Sequence, residues 1–217
     1  EKTRFLISIG GVAFSVILIV MLVGLYQGLS NKMAEYIKTI PADIWVKQTG
    51  TEDSLLRTQS VLPLAVEDEL RAVDGVAEAK PLSARRVPAS VNGETISMYA
   101  VAYDAKRDVG KPTAIAEGKA VPADGEIIVD RSQNTRIKLG DTITVAQQEL
   151  SVVGFSEGGN LVASSFAFMT KNDLDKIQAF PSATNFFLVQ ISPGSNATEV
   201  IKAIETNVSG VEGVVKS

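Results

Sequence analysis

The sequence predicts an α+β fold: an N-terminal transmembrane helix with a stalk, then a split, ferredoxin-like α+β layer carrying a β-rich insertion. Three observations predict it. An uncharged apolar run, Phe5–Tyr26, opens the chain. Two β-α-β units of matching pattern stand at the start and end of the remainder. Between them, short strands and turn residues dominate.

The run Phe5–Tyr26 is 22 residues long. At the helical rise it covers about 30 Å, enough for the hydrocarbon core of a bilayer. Only a helix satisfies its own backbone groups in lipid. A cleaved signal peptide is the rival reading, but its apolar region is shorter and ends in a small-residue cleavage site. Lys2 and Arg4 precede the span, which favours an inside N-terminus, although Lys32 and Lys38 follow it. Gly24 and Gly28 have the small-xxx-small spacing of close helix pairs, and glycine is also simply common in such spans. Leu25, Leu29, Met33, Ile37 and Ile40 then form one apolar stripe, with Lys32, Glu35 and Lys38 elsewhere. That spacing predicts a helical stalk, which Pro41 stops.

Ala42–Gln48 alternates Ile44 and Val46 and reads as a strand. Thr49–Thr58 is a polar loop. Pro63 suits a helix start, and Leu64–Val73 places Val66, Leu70 and Val73 on one face. Asp74-Gly75 ends that helix, and Val76–Leu82 is a strand. Val87–Val91 and Glu94–Val101 flank Asn92-Gly93, a strong hairpin signal because both turn residues need positive φ. Asn185–Ile191 is a strand. Ser195 or Asn196 caps a helix running to Asn207, with Val200, Ile201, Ile204 and Val208 inward. Ser209-Gly210 ends it before a strand at Val211–Val215. Each end thus reads strand, helix, polar residue-Gly-Val, strand, which suggests the split layer. The competing reading is two ordinary capped helices alike by coincidence.

The insertion runs from Asp104 to Thr184. Its opening, Asp104–Asp124, gives no clear element. Glu126–Val129 is a strand and Asp130–Leu139 holds one helical turn, closed by Gly140. Thr142–Ala146 and Glu149–Phe155 form a hairpin round Gln147-Gln148. Phe166–Met169 is a strand. Thr170 caps a short helix to Ala179, with Asp173 three residues on.

The composition excludes several chemistries. The chain has 217 residues, no cysteine and no histidine. Disulfides, thiolate sites and histidine-based catalysis are therefore out. The net charge is −4, and only Glu1, Lys2 and Arg4 are charged in residues 1–30. The rest is acidic without a basic stripe, which argues against nucleic acid. Glu67-Asp68-Glu69 points in different directions along a helix and reads as a solvated face. Asp124, Glu126 and Asp130 lack the spacing of a cation loop. Ser156–Asn160 lacks the Gly-Lys-Ser/Thr of a phosphate loop. Asn196 and Asn207 fit glycosylation sequons but read as helix-end residues. Trp45, Phe186 and Phe187 read as core aromatics. The expectation is no catalytic, cofactor or metal residue, and no cofactor.

The chain resembles the FtsX/MacB-like permease subunits of ABC transporters. The resemblance rests on the N-terminal span, Ala42-Asp43-Ile44-Trp45-Val46 and the helix ending in Asp74-Gly75-Val76. It continues in Glu126–Asp130, Leu139–Ile143, Leu150–Phe155 and Phe166–Met169. It implies a porter-like α+β part over 42–103 plus 185–217, an inserted β-rich part over 104–184, and span and stalk over 1–41. It also implies a non-catalytic subunit in a prokaryotic cytoplasmic membrane, N-terminus inside and main domain outside. Implied partners are an ABC ATPase docking through segments absent from this chain, a second copy or related permease, an extracytoplasmic adaptor, and membrane lipid. ATP hydrolysis by that partner would then move the outer domain for export or extraction of a substrate. Such permeases have three further spans, so the chain reads as a piece of one. The alternative is a single-span sensor or scaffold whose outer domain binds an envelope protein or ligand.

Overall fold

The computed structural model describes residues 3, 9–24, 40–51, 60–91, 93–158, 165–177 and 182–216. Residues 9–24 form a helix, α1, whose side chains are all exposed. Its 16 residues cover about 24 Å. Among the described residues no helix is long and apolar enough to cross a membrane. The expected span Phe5–Tyr26 reaches past α1 at both ends, and the expected stalk lies outside the described residues apart from Ile40.

Two large sheets and a two-stranded ribbon organise the rest of the described residues. The first is four-stranded, in the order β13-β1-β12-β3, from β1 (Ile44–Gln48), β3 (Val76–Leu82), β12 (Phe186–Ile191) and β13 (Val211–Val215). Every neighbour pair is antiparallel. Helices α2 (Val66–Arg71) and α4 (Ala197–Asn207) cover one face. There Ile44, Val46, Phe187 and Val189 meet Leu70, Val200 and Ile204. Trp45, Phe186 and Leu188 point to the opposite face, which is also buried. Interior strands covered on both faces become nearly continuous apolar runs, and Phe186-Phe187-Leu188-Val189 is one. Gly75, at φ 89°, turns the chain from α2 into β3 and sits against Val200 and Ser195 of the other β-α-β unit. Asn196 caps α4 by accepting from the Thr198 N–H at 2.9 Å.

The second sheet closes on itself. β4 (Ala84–Val91), β5 (Glu94–Tyr103), β7 (Glu126–Asp130), β8 (Thr142–Val145), β9 (Gln148–Ser156) and β10 (Ser165–Thr170) pair in the order β9-β7-β10-β5-β4-β8, and β8 pairs again with β9. The result is a six-stranded barrel with β6 (Ile115–Gly118) hydrogen-bonded as a spur on β9. Alternate residues fill its interior: Met98, Ala100 and Ala102 from β5, Ile127 and Val129 from β7, Ala167 and Met169 from β10. The intervening Tyr99, Val101, Ile128, Phe166 and Phe168 point outward against Trp45 and Leu188. This seam joins barrel and open sheet. The chain crosses it twice, at Leu82–Ala84 and Thr184–Phe186. Asn185 clips both crossings, accepting from the Ala84 N–H at 2.9 Å and donating to the Ser60 carbonyl at 2.8 Å.

The strand and helix expectations for 76–82, 186–191, 197–207 and 211–215 match their observed elements closely. The expected Thr170 cap is also present: Asp173 N–H donates to Thr170 Oγ1 at 3.2 Å, opening α3 (Lys171–Ile177). Four expectations need correction. Leu62–Pro63 is a short strand, β2, paired with β11 (Ala183–Thr184), so Pro63 precedes a turn and α2 begins only at Val66. The second hairpin turns on Ala146 and Gln147, at φ 45° and 77°, one residue earlier than expected. The unassigned stretch contains β6. The hairpin β4–β5 hydrogen-bonds into the barrel, because β5 pairs with β10 and β4 with β8, although sequence order groups it with 42–103.

Candidate functional site at the chain entrance

The described part of the outer domain begins at Ile40, and the segment 40–43 is held from three sides. Ile40 is buried in the seam. The Pro41 carbonyl accepts from Gln190 Nε2 at 3.0 Å. Asp43 N–H donates to the Val189 carbonyl at 2.9 Å, and Asp43 Oδ2 accepts from the Ile191 N–H at 2.9 Å. The Asp43 carbonyl accepts from the Lys216 N–H at 3.0 Å, and Lys216 Nζ donates to the Ile40 carbonyl at 2.5 Å. The chain therefore enters beside the end of β13 and runs straight into β1, an interior strand. Ile44 pairs with both Val189 and Val215. Backbone hydrogen bonds thus tie the segment that follows Ile40 to both neighbours of β1.

A cleft of about 290 Å3 opens here between Ile40-Pro41 and the loop Asp108–Thr113. That loop leaves β5 at Tyr103. Asp104 and Val109 exchange backbone hydrogen bonds at 2.9 and 3.3 Å. Arg107 reaches from it to α2, donating through Nη2 to Glu67 Oε2 at 2.9 Å and through Nη1 to Asp104 Oδ2 at 3.0 Å. Glu67 Oε1 pairs with Arg71 at 2.7 Å. Burial lowers the Arg107 pKa, but its hydrogen bonds with Glu67 and Asp104 outweigh that and hold it above the ordinary value.

The acidic candidates separate. Glu67 is 6% exposed and shared by two arginines, which corrects its reading as part of a solvated face; Asp68 and Glu69 are exposed. Hydrogen bonds with Thr170 and Asn172 hold Asp124 below the ordinary carboxylate value. Glu126 accepts from Lys119 Nζ at 2.6 Å and from the Ala123 N–H at 3.0 Å, and is lowered by these bonds against a small burial effect. Asp130 is buried and accepts from the Ser132 N–H at 2.9 Å. Among the described residues no three acidic side chains gather as a metal would require. Glu157 pairs with Arg131, and Ser156 is buried at the end of β9; the rest of that glycine-rich stretch lies partly outside the described residues. Asn207 Nδ2 donates to the Ala203 carbonyl at 2.8 Å. Trp45 packs edge-on against Phe186, with ring centres 5.4 Å apart. The entrance clamp was not foreseen from sequence. Its one local signal is Asp43 before a β-branched residue, and its closing partner, Lys216, is 176 positions away from Ile40.

The description MacB-like periplasmic core domain matches residues 5–207. Among solved structures, the periplasmic region of MacB from Actinobacillus actinomycetemcomitans superposes with a TM-score of 0.57 at 12% identity, covering 85% of this chain and 94% of that one. The extracellular domain of the noncanonic ABC-type transporter YknZ from Gram-positive bacteria gives 0.55 at 12% identity, covering 79% and 98%. At such identity these two likenesses speak for the fold alone. No curated protein matches. The match over nearly the whole length, on the open sheet and barrel just described, makes this chain a member of the MacB-like periplasmic core domain family.

Proposed function

We propose that this chain is the anchor and outer domain of an ABC transporter permease subunit, moved by a partner ATPase to export or extract a substrate. The observation that carries the reading is the entrance clamp. The incoming chain is hydrogen-bonded to β12 and to the end of β13 before it becomes β1. A tilt of the preceding helix is thus delivered to the middle of the open sheet. α1 is apolar all round and exposed, which suits a helix whose surroundings are lipid. Phe5–Tyr26 is then the span, with the N-terminus in the cytoplasm and the domain outside it.

In this reading the open sheet is the porter-like, ferredoxin-like layer, which the strand order β13-β1-β12-β3 supports. The domain division follows the crossings of the seam: 42–82 with 185–217 as the layer, and the intervening residues as the barrel-bearing insertion. The chain is non-catalytic. Its ATPase binds other segments of the complete permease, and a second permease copy and an extracytoplasmic adaptor complete the assembly.

These 217 residues contain no cysteine, so introduced thiols report position once any cysteine elsewhere in the gene is replaced by serine. With the complete gene expressed in its host, Phe14→Cys should resist a membrane-impermeant maleimide while Glu69→Cys reacts in intact cells. Alkaline carbonate should leave the protein in the membrane fraction, and an affinity tag on it should retain an ATPase. Release by carbonate, or retention without any ATPase, would overturn the reading; the second outcome favours the single-span sensor or scaffold.

A further inference from the structure

The loop Asp104–Thr113 binds α2 and borders the chain entrance. At its start, Arg107 binds Glu67 of α2 and Asp104 of its own turn. Asp104 Oδ1 fixes that turn by accepting from the Lys106 and Arg107 N–H groups at 2.9 and 3.3 Å. In the middle, Val109 is buried in the seam. At its end, Lys111–Thr113 face Ile40 and Pro41 across the cleft.

The backbone between these contacts is constrained. Asp108 is held at φ 49°, a region that side chains other than glycine rarely occupy. Gly110 stands at φ 82°, and a Cβ there would lie 2.0 Å from the Ala102 carbonyl oxygen. Such conformations persist only where the surroundings over-determine them, and they concentrate where a segment has two states. The loop is also the route by which a group on the barrel side reaches α2, which lies on the far face of the open sheet. Glu67 adds the second condition for a switch. It is buried, and its two oxygens are divided between Arg71 on its own helix and Arg107 on the loop. Losing Arg107 leaves a buried carboxylate half satisfied, so the pair is either made or broken, with little between.

We propose that this loop is a latch coupling the chain entrance to α2: movement of Ile40–Pro41 opens the Arg107–Glu67 pair, and opening the pair loosens the entrance. The coupling is reciprocal, as any equilibrium coupling between two sites must be. It stands on the Arg107–Glu67 pair and on the cleft and buried cluster that the loop shares with Ile40, and holds whether or not the chain serves a transporter.

Hydrogen exchange on the full chain in lipid nanodiscs tests it. Arg107→Gln should speed exchange at least ten-fold at the Asp104 and Val109 amides and also at Ala42 and Asp43, leaving Ile128 and Phe168 unchanged. Arg107→Lys should restore part of the protection. In the other direction, Pro41→Gly should speed exchange at Asp104 and Val109. Where Arg107→Gln fails to fold, Glu67→Gln, which keeps its shape and an acceptor oxygen, carries the same expectations. Faster exchange confined to the loop would make the pair a local staple and overturn the proposal. A uniform rise across barrel and sheet would do so too, as simple loss of stability.

Discussion

The barrel and the open sheet solve the same problem in opposite ways. The barrel pairs β8 with β9 and so, among the described residues, leaves only the short spur β6 with an open edge. Closure removes the exposed ladder that invites pairing with other chains. The open sheet keeps two edges and guards each. On β13, the Gly213 N–H donates to Glu205 Oε1 of α4 at 3.1 Å. On β3, Pro81 removes a donor and Glu78 pairs with Lys80 at 3.0 Å. It is the open sheet that receives the incoming chain and holds Lys216. The two solutions separate an open sheet that receives the incoming chain from a closed barrel that meets it along the buried seam.

Removing the Phe187 ring tests that separation most forcefully. Phe187 is wholly buried against the helices, and Phe187→Ala should cost about 4 kcal/mol. Followed by hydrogen exchange through a denaturant series, sheet amides such as Val46 should lose protection before barrel amides such as Ile127. Simultaneous loss would make the two one cooperative unit and break the comparison. Gly110→Ala comes next. Its positive φ and the Ala102 carbonyl should make it cost about 3 kcal/mol by chemical denaturation. Asn196→Ala removes the cap of α4 and should cost about 1 kcal/mol, with fraying limited to the first turn by exchange.

Glu205→Ala should cost less than about 0.5 kcal/mol yet raise self-association in sedimentation, because it bares the β13 edge. The smallest effect concerns the barrel's own spur. Lys119, just beyond β6, holds Glu126 of β7 below its ordinary value of 4.5. A lowered carboxylate favours the folded state above 4.5, and that contribution fades as pH falls through the depressed value. Thermal melts below pH 4.5 should therefore show a steeper decline for the native chain than for Glu126→Gln.

Local patterns made the open sheet legible. Ile44 and Val46 alternate, α4 has its cap and its apolar spacing, and Gly75 and Gly210 mark turns that need positive φ. The Thr170 cap on Asp173 is likewise read within three residues. What escaped depends on distance. Barrel closure is a pairing between strands whose ends carry no mark of it. Glu67 looked solvated because its partner Arg107 is 40 positions away. The turn at Ala146-Gln147 carries no glycine, and Ile115–Gly118 lacks strand-forming residues beyond Ile115. The entrance clamp joins residues near opposite ends of the chain, so periodicity could not show it.

The claim beneath all of this is that the apolar helix and the outer domain move together. Spin labels at Val20→Cys in α1 and Thr142→Cys on the barrel, with the chain in lipid nanodiscs, measure it by electron–electron double resonance. A single narrow distance distribution is the predicted result. A broad distribution, with the domain swinging freely about the helix, would contradict it.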